Sequence, residues 1–311
     1  MGFRLLREIP DGCKVNTPSL LYNQASFLKS NNDLPQLHFY WVNTSESSIE
    51  AHVAFNIEEG EAVSGIKAPF GGLEVSETLA PADLVTFIIF LEKALKEQGI
   101  RFLRISQAPS QYFSQEKINA ALEDLKYTIK ANRKYQLIPV LKEVLNERMR
   151  LMEQRRIRKC LKAGFTFRAV KVKNLLSVYS VLNDWRTKSA KPLSMEWSEL
   201  AMARKQSPEA YLPFGIFDGN KLVAASIAIR VSKDVLYHFY PGHDPDYNNF
   251  SPMVMLVDEM HSWCYQNDFK FLDLGTSYVS GKMSQSLFRF KSHIGGIESQ
   301  ALVFRKTLSL R

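Results

Sequence analysis

One pattern occurs twice in this chain and limits what it can fold into. In the first half, a strand-like run leads to Pro69, a helix opened by Pro81, and the strand Phe102-Leu103-Arg104. In the second half, a strand-like run leads to Pro241, a helix opened by Pro252, and the strand Phe271-Leu272-Asp273. A β–loop–α–β unit repeated in this way predicts a duplicated α/β (α+β) architecture, with mixed sheets flanked by helices. The 311 residues are comfortable for two domains. The charged stretch 141–163 reads as one long helix and holds the junction, which gives domains at 1–145 and 146–311.

Periodicity fills in the rest. Residues 37–42 and 49–57 read as strands, the second placing Ile49, Ala51, Val53, Phe55 and Ile57 on one face. Residues 62–68 read as a third strand, ended by the turn signal Pro69-Phe70-Gly71-Gly72. After Pro81, the residues Leu84, Phe87, Ile88, Leu91, Ala94 and Leu95 mark the apolar face of a helix that Gly99 terminates. Strands are expected at 165–172, 211–217, 222–231 and 235–240, the last three joined by the turns Asp218-Gly219-Asn220 and Ser232-Lys233-Asp234. Helices are expected at 174–188 and 195–205. Ser251-Pro252 caps and opens another, with Met253, Leu256, Val257, Met260 and Cys264 as its buried stripe. A strand at 269–274, a helix at 282–290 and a strand at 301–305 follow.

Several classes of chemistry find no support. Cys13, Cys160 and Cys264 are far apart and form no Cys-x-x-Cys pair, so a reducing compartment is expected and a disulfide framework is not. The N-terminal residues lack an apolar segment of signal-peptide length, and the most apolar stretch, 84–91, is too short to span a bilayer. A soluble, cytoplasmic protein is the expectation. No Gly-x-Ser-x-Gly elbow, Walker loop or dinucleotide fingerprint occurs. His261 and Cys264 share a helix face without a matching pair of ligands, so no metal site is expected. The net charge of +8 favours anionic partners, whether nucleic acid, anionic lipid or a phosphate-bearing small molecule. The basic helix at 148–162 fits either a solvated face or one that tracks a nucleic-acid backbone.

Four segments carry a family resemblance. They are the basic run 155–164, the loop and helix start from Phe239 to Pro252, Phe271-Leu272-Asp273-Leu274-Gly275, and the run from Leu287 to Gly296. In this order they resemble Fem-like members of the GNAT superfamily, most clearly over 155–311. The resemblance implies two tandem GNAT-like (acyl-CoA N-acyltransferase) domains, the first a degenerate copy that shapes the acceptor cleft and the second holding the active site. It also implies transfer of an acyl group from acetyl-CoA or another acyl-CoA to a small-molecule or peptide amine, and the chain's own basic charge favours an anionic one. Fem proteins instead use aminoacyl-tRNA to extend cell-wall peptides, so tRNA stands as the alternative donor. The sequence departs from the pattern in lacking a standard pyrophosphate loop, Gln or Arg followed by spaced glycines. That departure keeps open a non-catalytic binding protein that retains the fold.

The candidate site follows from strand ends and helix starts. The turn from Tyr240 to Pro252 would gather free N–H groups around Asn249 to Val254 and cradle a donor phosphate, with Gly242, Asn249, Ser251 and Val254 as its contacts. Asp273, at a strand end before Gly275-Thr276-Ser277, would orient or deprotonate the acceptor amine. Tyr240 would act as general acid toward the leaving group. Asp244, Ser277, Arg289 and Lys291 would contact substrate, the two cations alternating with Phe288 and Phe290. Local capping explains Asp273 and Ser251 equally well, and His238 and His243 beside the loop read as structural.

Overall fold

The computed structural model describes residues 2–31, 34–279 and 281–308. These cluster into two compact units. One contains the residues up to Arg133 and those from Gln300 onward; the other is Lys134–Ser299.

The first unit contains β1 (Phe3–Leu6), β2 (Lys14–Val15), α1 (Ala25–Asn31), β3 (Gln36–Asn43), β4 (Ser48–Glu58), β5 (Glu61–Val63), β6 (Glu74–Val75), α2 (Pro81–Lys96), β7 (Phe102–Ser106), α3 (Glu116–Asp124) and the start of β8 (Thr128–Pro139). β1, β3, β4 and β5 pair antiparallel in that order, β5 and β7 pair in parallel, and Val303–Thr307 closes the sheet antiparallel to β7. α2 begins with Pro81 where a missing N–H costs nothing, carries Asp83 in its first turn, and has Lys93 and Lys96 in its last, each complementing the helix dipole. Its buried face, Leu84, Phe87, Ile88, Leu91 and Leu95, packs with Phe39, Val53, Phe55, Leu103 and Ile105. The strand expected over 62–68 stops at Val63, because the chain folds back on itself: a Cβ on Gly65, at φ +74°, would lie 2.6 Å from the Phe70 backbone.

The second unit continues β8 and adds α4 (Leu145–Arg148), α5 (Leu151–Lys162), β9 (Thr166–Ala169), α6 (Leu175–Lys188), α7 (Trp197–Gln206), β10 (Tyr211–Asp218), β11 (Lys221–Arg230), β12 (Val235–His243), α8 (Pro252–Gln266), β13 (Phe271–Thr276), β14 (Tyr278–Val279), β15 (Lys282–Met283), α9 (Gln285–His293) and the start of β16 (Ile297–Thr307). Its sheet runs β8-β13-β12-β11-β10-β9. β12 and β13 are parallel and their other neighbours antiparallel. β11 is buried from Val223 to Ile229, as a central strand covered on both faces must be. Its alternate residues Ala224 and Ala228 join Phe214, Leu236, Leu272 and the α8 residues Val254, Leu256 and Met260 in one core. α6 covers the opposite face.

The long helix expected over 141–163 is two helices, broken where Met149 and Arg150 turn extended. Met149 is buried in the core, and the Arg150 amide donates to the His293 carbonyl at 3.0 Å. The helix expected over 282–290 begins only at Gln285, after the short strand β15. β8 itself had no sequence signal, since its first seven residues are exposed and largely polar or charged. The repeated unit is present in both halves as a parallel crossover: β5 to β7 around α2, and β12 to β13 around α8.

Candidate active site

β12 and β13 are neighbours for only three residues each. Val235, Leu236 and Tyr237 pair with Phe271, Leu272 and Asp273. Beyond that point, β12 stays with β11 as far as His243, while β13 stays with β8, where Thr276 faces Tyr135. The cause is local. Ile229 pairs with Tyr237 but Ile227 pairs with Tyr240, so two β12 residues, His238 and Phe239, stand opposite one residue of β11. A bulge of this kind bends and twists the strand that carries it. The two parallel strands therefore part, and a polar cluster fills the space between their diverging ends.

At the centre of the cluster is Lys291 on α9, with 8% of its surface exposed. Its ammonium donates to the carbonyls of Thr276 at 2.6 Å and Gly275 at 3.1 Å, which uses two of its three protons. Burial pulls its pKa down to about 8, and the Asp273 carboxylate partly offsets this. Asp273, 1% exposed, accepts the Gly275 amide at 2.6 Å and so closes the turn that presents those carbonyls. Gly275 has φ +70°, and the Tyr237 ring lies over it, 2.8 Å from where a Cβ would be. His238 shares a 2.9 Å hydrogen bond with Ser226 through Nδ1. Burial, then the nearby Lys291 charge, depress its pKa to about 3, so it is neutral at physiological pH and too weak a base to take a proton there.

α9 is held in place from β8. The buried side-chain amide of Gln136 donates to the Phe288 carbonyl at 3.0 Å and to Ser292 Oγ at 2.9 Å, and its oxygen accepts from Ser277 Oγ at 3.3 Å. Ser277 thus sits in the cluster through its hold on Gln136. Sequence reasoning missed Gln136 and Ser226 and set His238 aside. Two signals were available: Ser226 is a lone hydroxyl inside an apolar strand, and His238 interrupts an aromatic one.

The other expected residues lie elsewhere. Tyr240 faces the α6 side, where its hydroxyl meets Ser194 Oγ at 2.7 Å. Gly242 packs beneath Leu182 and Trp185 of α6. Asp244 accepts the Asp246 amide at 3.1 Å and pairs with Lys221 at 2.9 Å. Burial opposes ionisation of Asp244, but these hydrogen bonds together hold its carboxyl below the usual range. Ser251 is the residue before α8, yet it lies in the left-handed region at φ +54° and does not cap the helix with its side chain; its hydroxyl donates back to the Asn248 carbonyl instead. Asn249 is exposed, and its carbonyl accepts from Lys159 at 2.6 Å. Val254 is buried in the core.

The amides expected to be free near Asn249 to Val254 are largely used. Those of Asn248, Phe250, Ser251 and Val254 bond to the carbonyls of Pro245, Tyr247, Asn248 and Ser251, because the segment coils into successive tight turns before the helix starts. Arg289 and Lys291 are also separated. Two residues apart on a helix means about 200° of rotation, so Lys291 points inward while Arg289 is exposed on the far side. Among the described residues no group of three or more His, Cys, Asp or Glu is placed to hold a metal, and no helix is long and apolar enough to cross a membrane.

A mixed sheet whose parallel central strands part around a polar cluster, with a crossover helix between them, is a GNAT-type arrangement, and the chain has a GNAT-like α/β fold. Residues 148–291 match the family model described as an acetyltransferase (GNAT) domain. The fold of the chain is similar to that of FemX, with a TM-score of 0.73 over 93% of this chain and 92% of that one at 10% identity. It is also similar to L-PGS from Bacillus licheniformis, at TM-score 0.60, 12% identity, and 95% and 93% coverage. The C-terminal domain of a putative lysylphosphatidylglycerol synthetase from Agrobacterium fabrum gives TM-score 0.60, 12% identity, and 91% and 87% coverage. No curated protein matches the chain significantly in sequence.

Proposed function

We propose that the second unit catalyses acyl transfer to an amine, with Lys291 stabilising the oxyanion of the tetrahedral intermediate. The observation that carries this reading is the buried ammonium with one proton left over after its two carbonyl bonds. The amine nitrogen attacks the donor carbonyl carbon, and the C=O electron pair moves to oxygen beside Lys291. Collapse re-forms the C=O bond and breaks the bond to the carrier, and the proton lost by nitrogen ends on the departing atom. A charge already desolvated and aimed at that oxygen needs no reorganisation as the intermediate forms. Asp273 acts as a positioning residue: it closes the Gly275 turn and balances the lysine charge. His238 contributes a neutral, oriented wall.

Of the two donors left open by the sequence, the geometry favours an aminoacyl ester on RNA over an acyl-CoA. A CoA pyrophosphate is bound by unpaired amides at a helix start, and the amides of Phe250, Ser251 and Val254 are already bonded within their own turns. The putative lysylphosphatidylglycerol synthetase among the structural relatives is in keeping with an aminoacyl donor. The test is a single-turnover assay of the purified protein with radiolabelled aminoacyl-tRNA or acetyl-CoA and a panel of amine acceptors. Transfer from aminoacyl-tRNA that disappears in K291M is the expected result. Transfer from acetyl-CoA alone would reverse the choice of donor. No transfer from either by folded protein would leave the non-catalytic binding protein as the better reading.

A further inference from the structure

On the outer side of α9, away from Lys291, the second unit has a groove of about 480 Å³ between α9 and the first turns of α5. It is lined by Arg150, Arg156, Arg289 and His293, by the carboxylate of Glu153, and by Met152, Phe290 and Ser286. Three guanidinium groups thus share the groove with one carboxylate. Glu153 is spoken for: its Oε2 accepts from Arg156 at 2.7 Å, and its Oε1 is 3.9 Å from His293 Nδ1. Among the described residues, the side chains of Arg150 and Arg289 make no hydrogen bond or ion pair. The other ring nitrogen of His293, Nε2, is buried without a partner.

Unpaired guanidinium groups from two different elements, together with an unsatisfied buried nitrogen, favour an acceptor with several oxygens that can be approached from several sides. The apolar side chains of Met152 and Phe290 favour a ligand with carbon as well as charge. We propose that this groove is a binding site for a phosphate ester, with the phosphate held by Arg150 and Arg289 and the organic part against Met152 and Phe290. The break between α4 and α5 builds it: the extended Arg150 bonds to the His293 carbonyl and so brings the two basic elements together. The proposal does not depend on the transfer chemistry, because it concerns the other face of α9 and is read by binding alone.

The experiment is isothermal titration of the whole protein, beside R150A, R289A and the charge-reversed R289E, with inorganic phosphate, AMP and dihexanoylphosphatidylglycerol. Both arginines are exposed, so the variants should fold like the parent, which circular dichroism checks. Saturable binding of at least one organic phosphate, weakened at least tenfold in each single-alanine variant and lost in R289E, is expected. AMP binding would mark a nucleotide-type ligand, and binding of the short-chain lipid alone a headgroup. Binding unchanged in the variants, or no binding of any probe at millimolar concentration, overturns the proposal.

Discussion

Replacing Lys291 with Met should separate what the lysine does for the fold from what it does for chemistry. Its pKa is lowered from 10.5 to about 8, chiefly by burial. Between those values the unfolded chain holds a proton that the folded chain has lost, so folding stability rises with pH. Below about pH 8 both states carry the charge and the folded state bears the full cost of burying it. Linkage over this interval gives the wild type a gain of about 2.5 kcal/mol between pH 7 and pH 10. K291M has no such group. Urea unfolding of both proteins at pH 7, 8, 9 and 10 measures the difference, which should drift by that amount in favour of wild type as pH rises. Loss of the two carbonyl bonds adds an offset of about 1–3 kcal/mol that does not vary with pH. Transfer by K291M should fall at least about 100-fold, as when one oxyanion donor is removed, and wild-type transfer should decline as pH rises through about 8. A stability difference independent of pH would mean that the ammonium is effectively solvated. Normal turnover in K291M would remove it from the mechanism.

Three further perturbations follow from the same geometry. Gly275→Ala places a Cβ at φ +70° against the Tyr237 ring and should cost about 2 kcal/mol or more in chemical denaturation; no loss would mean that the turn and ring relax freely. Gln136→Leu removes the bonds to Phe288 and Ser292 and should cost about 1–3 kcal/mol, with hydrogen exchange rising in α9 ahead of the rest of the unit; uniform exchange would deny it a specific hold on that helix. Asp258, buried on α8 with Oδ1 unpartnered, has its pKa raised to about 6 by burial and then by Glu259. Its destabilising charge is absent below the unfolded pKa and grows as pH rises through about 6, so Asp258→Asn should raise the melting temperature at pH 7 and leave it unchanged at pH 3.5.

What could be read in the sequence was what local pattern determines. α2 and α8 each begin at a proline and repeat apolar residues at helical spacing, so their ends and buried faces followed directly. The crossover around α8 followed from its duplicate around α2. Lys291 was picked out, but beside Arg289 and in a two-residue rhythm that holds for strands; the helix sends the two to opposite sides. Ser251 looked like a cap because serine before proline usually is one, and only its left-handed backbone shows why it is not. The His238–Ser226 pair depends on a bulge, a change of one residue in register that composition does not encode. Gln136 could not have been found at all, since its partners are 152 and 156 residues further along the chain.

That last distance also sets an order of events. β8 is made before every helix of the second unit, yet its side-chain amide fixes a helix near the other end of the chain. As the polypeptide leaves the ribosome, Gln136 must wait while some 150 residues are added before α9 exists to be held. The strands from β9 to β12 can pair with near neighbours in the meantime, but closing so long a loop is slow relative to local pairing. The polar cluster around Lys291 is therefore expected to be among the last parts of the unit to mature, and a chain stopped short of residue 293 would leave β8 with an uncovered polar face rather than a weakened catalyst.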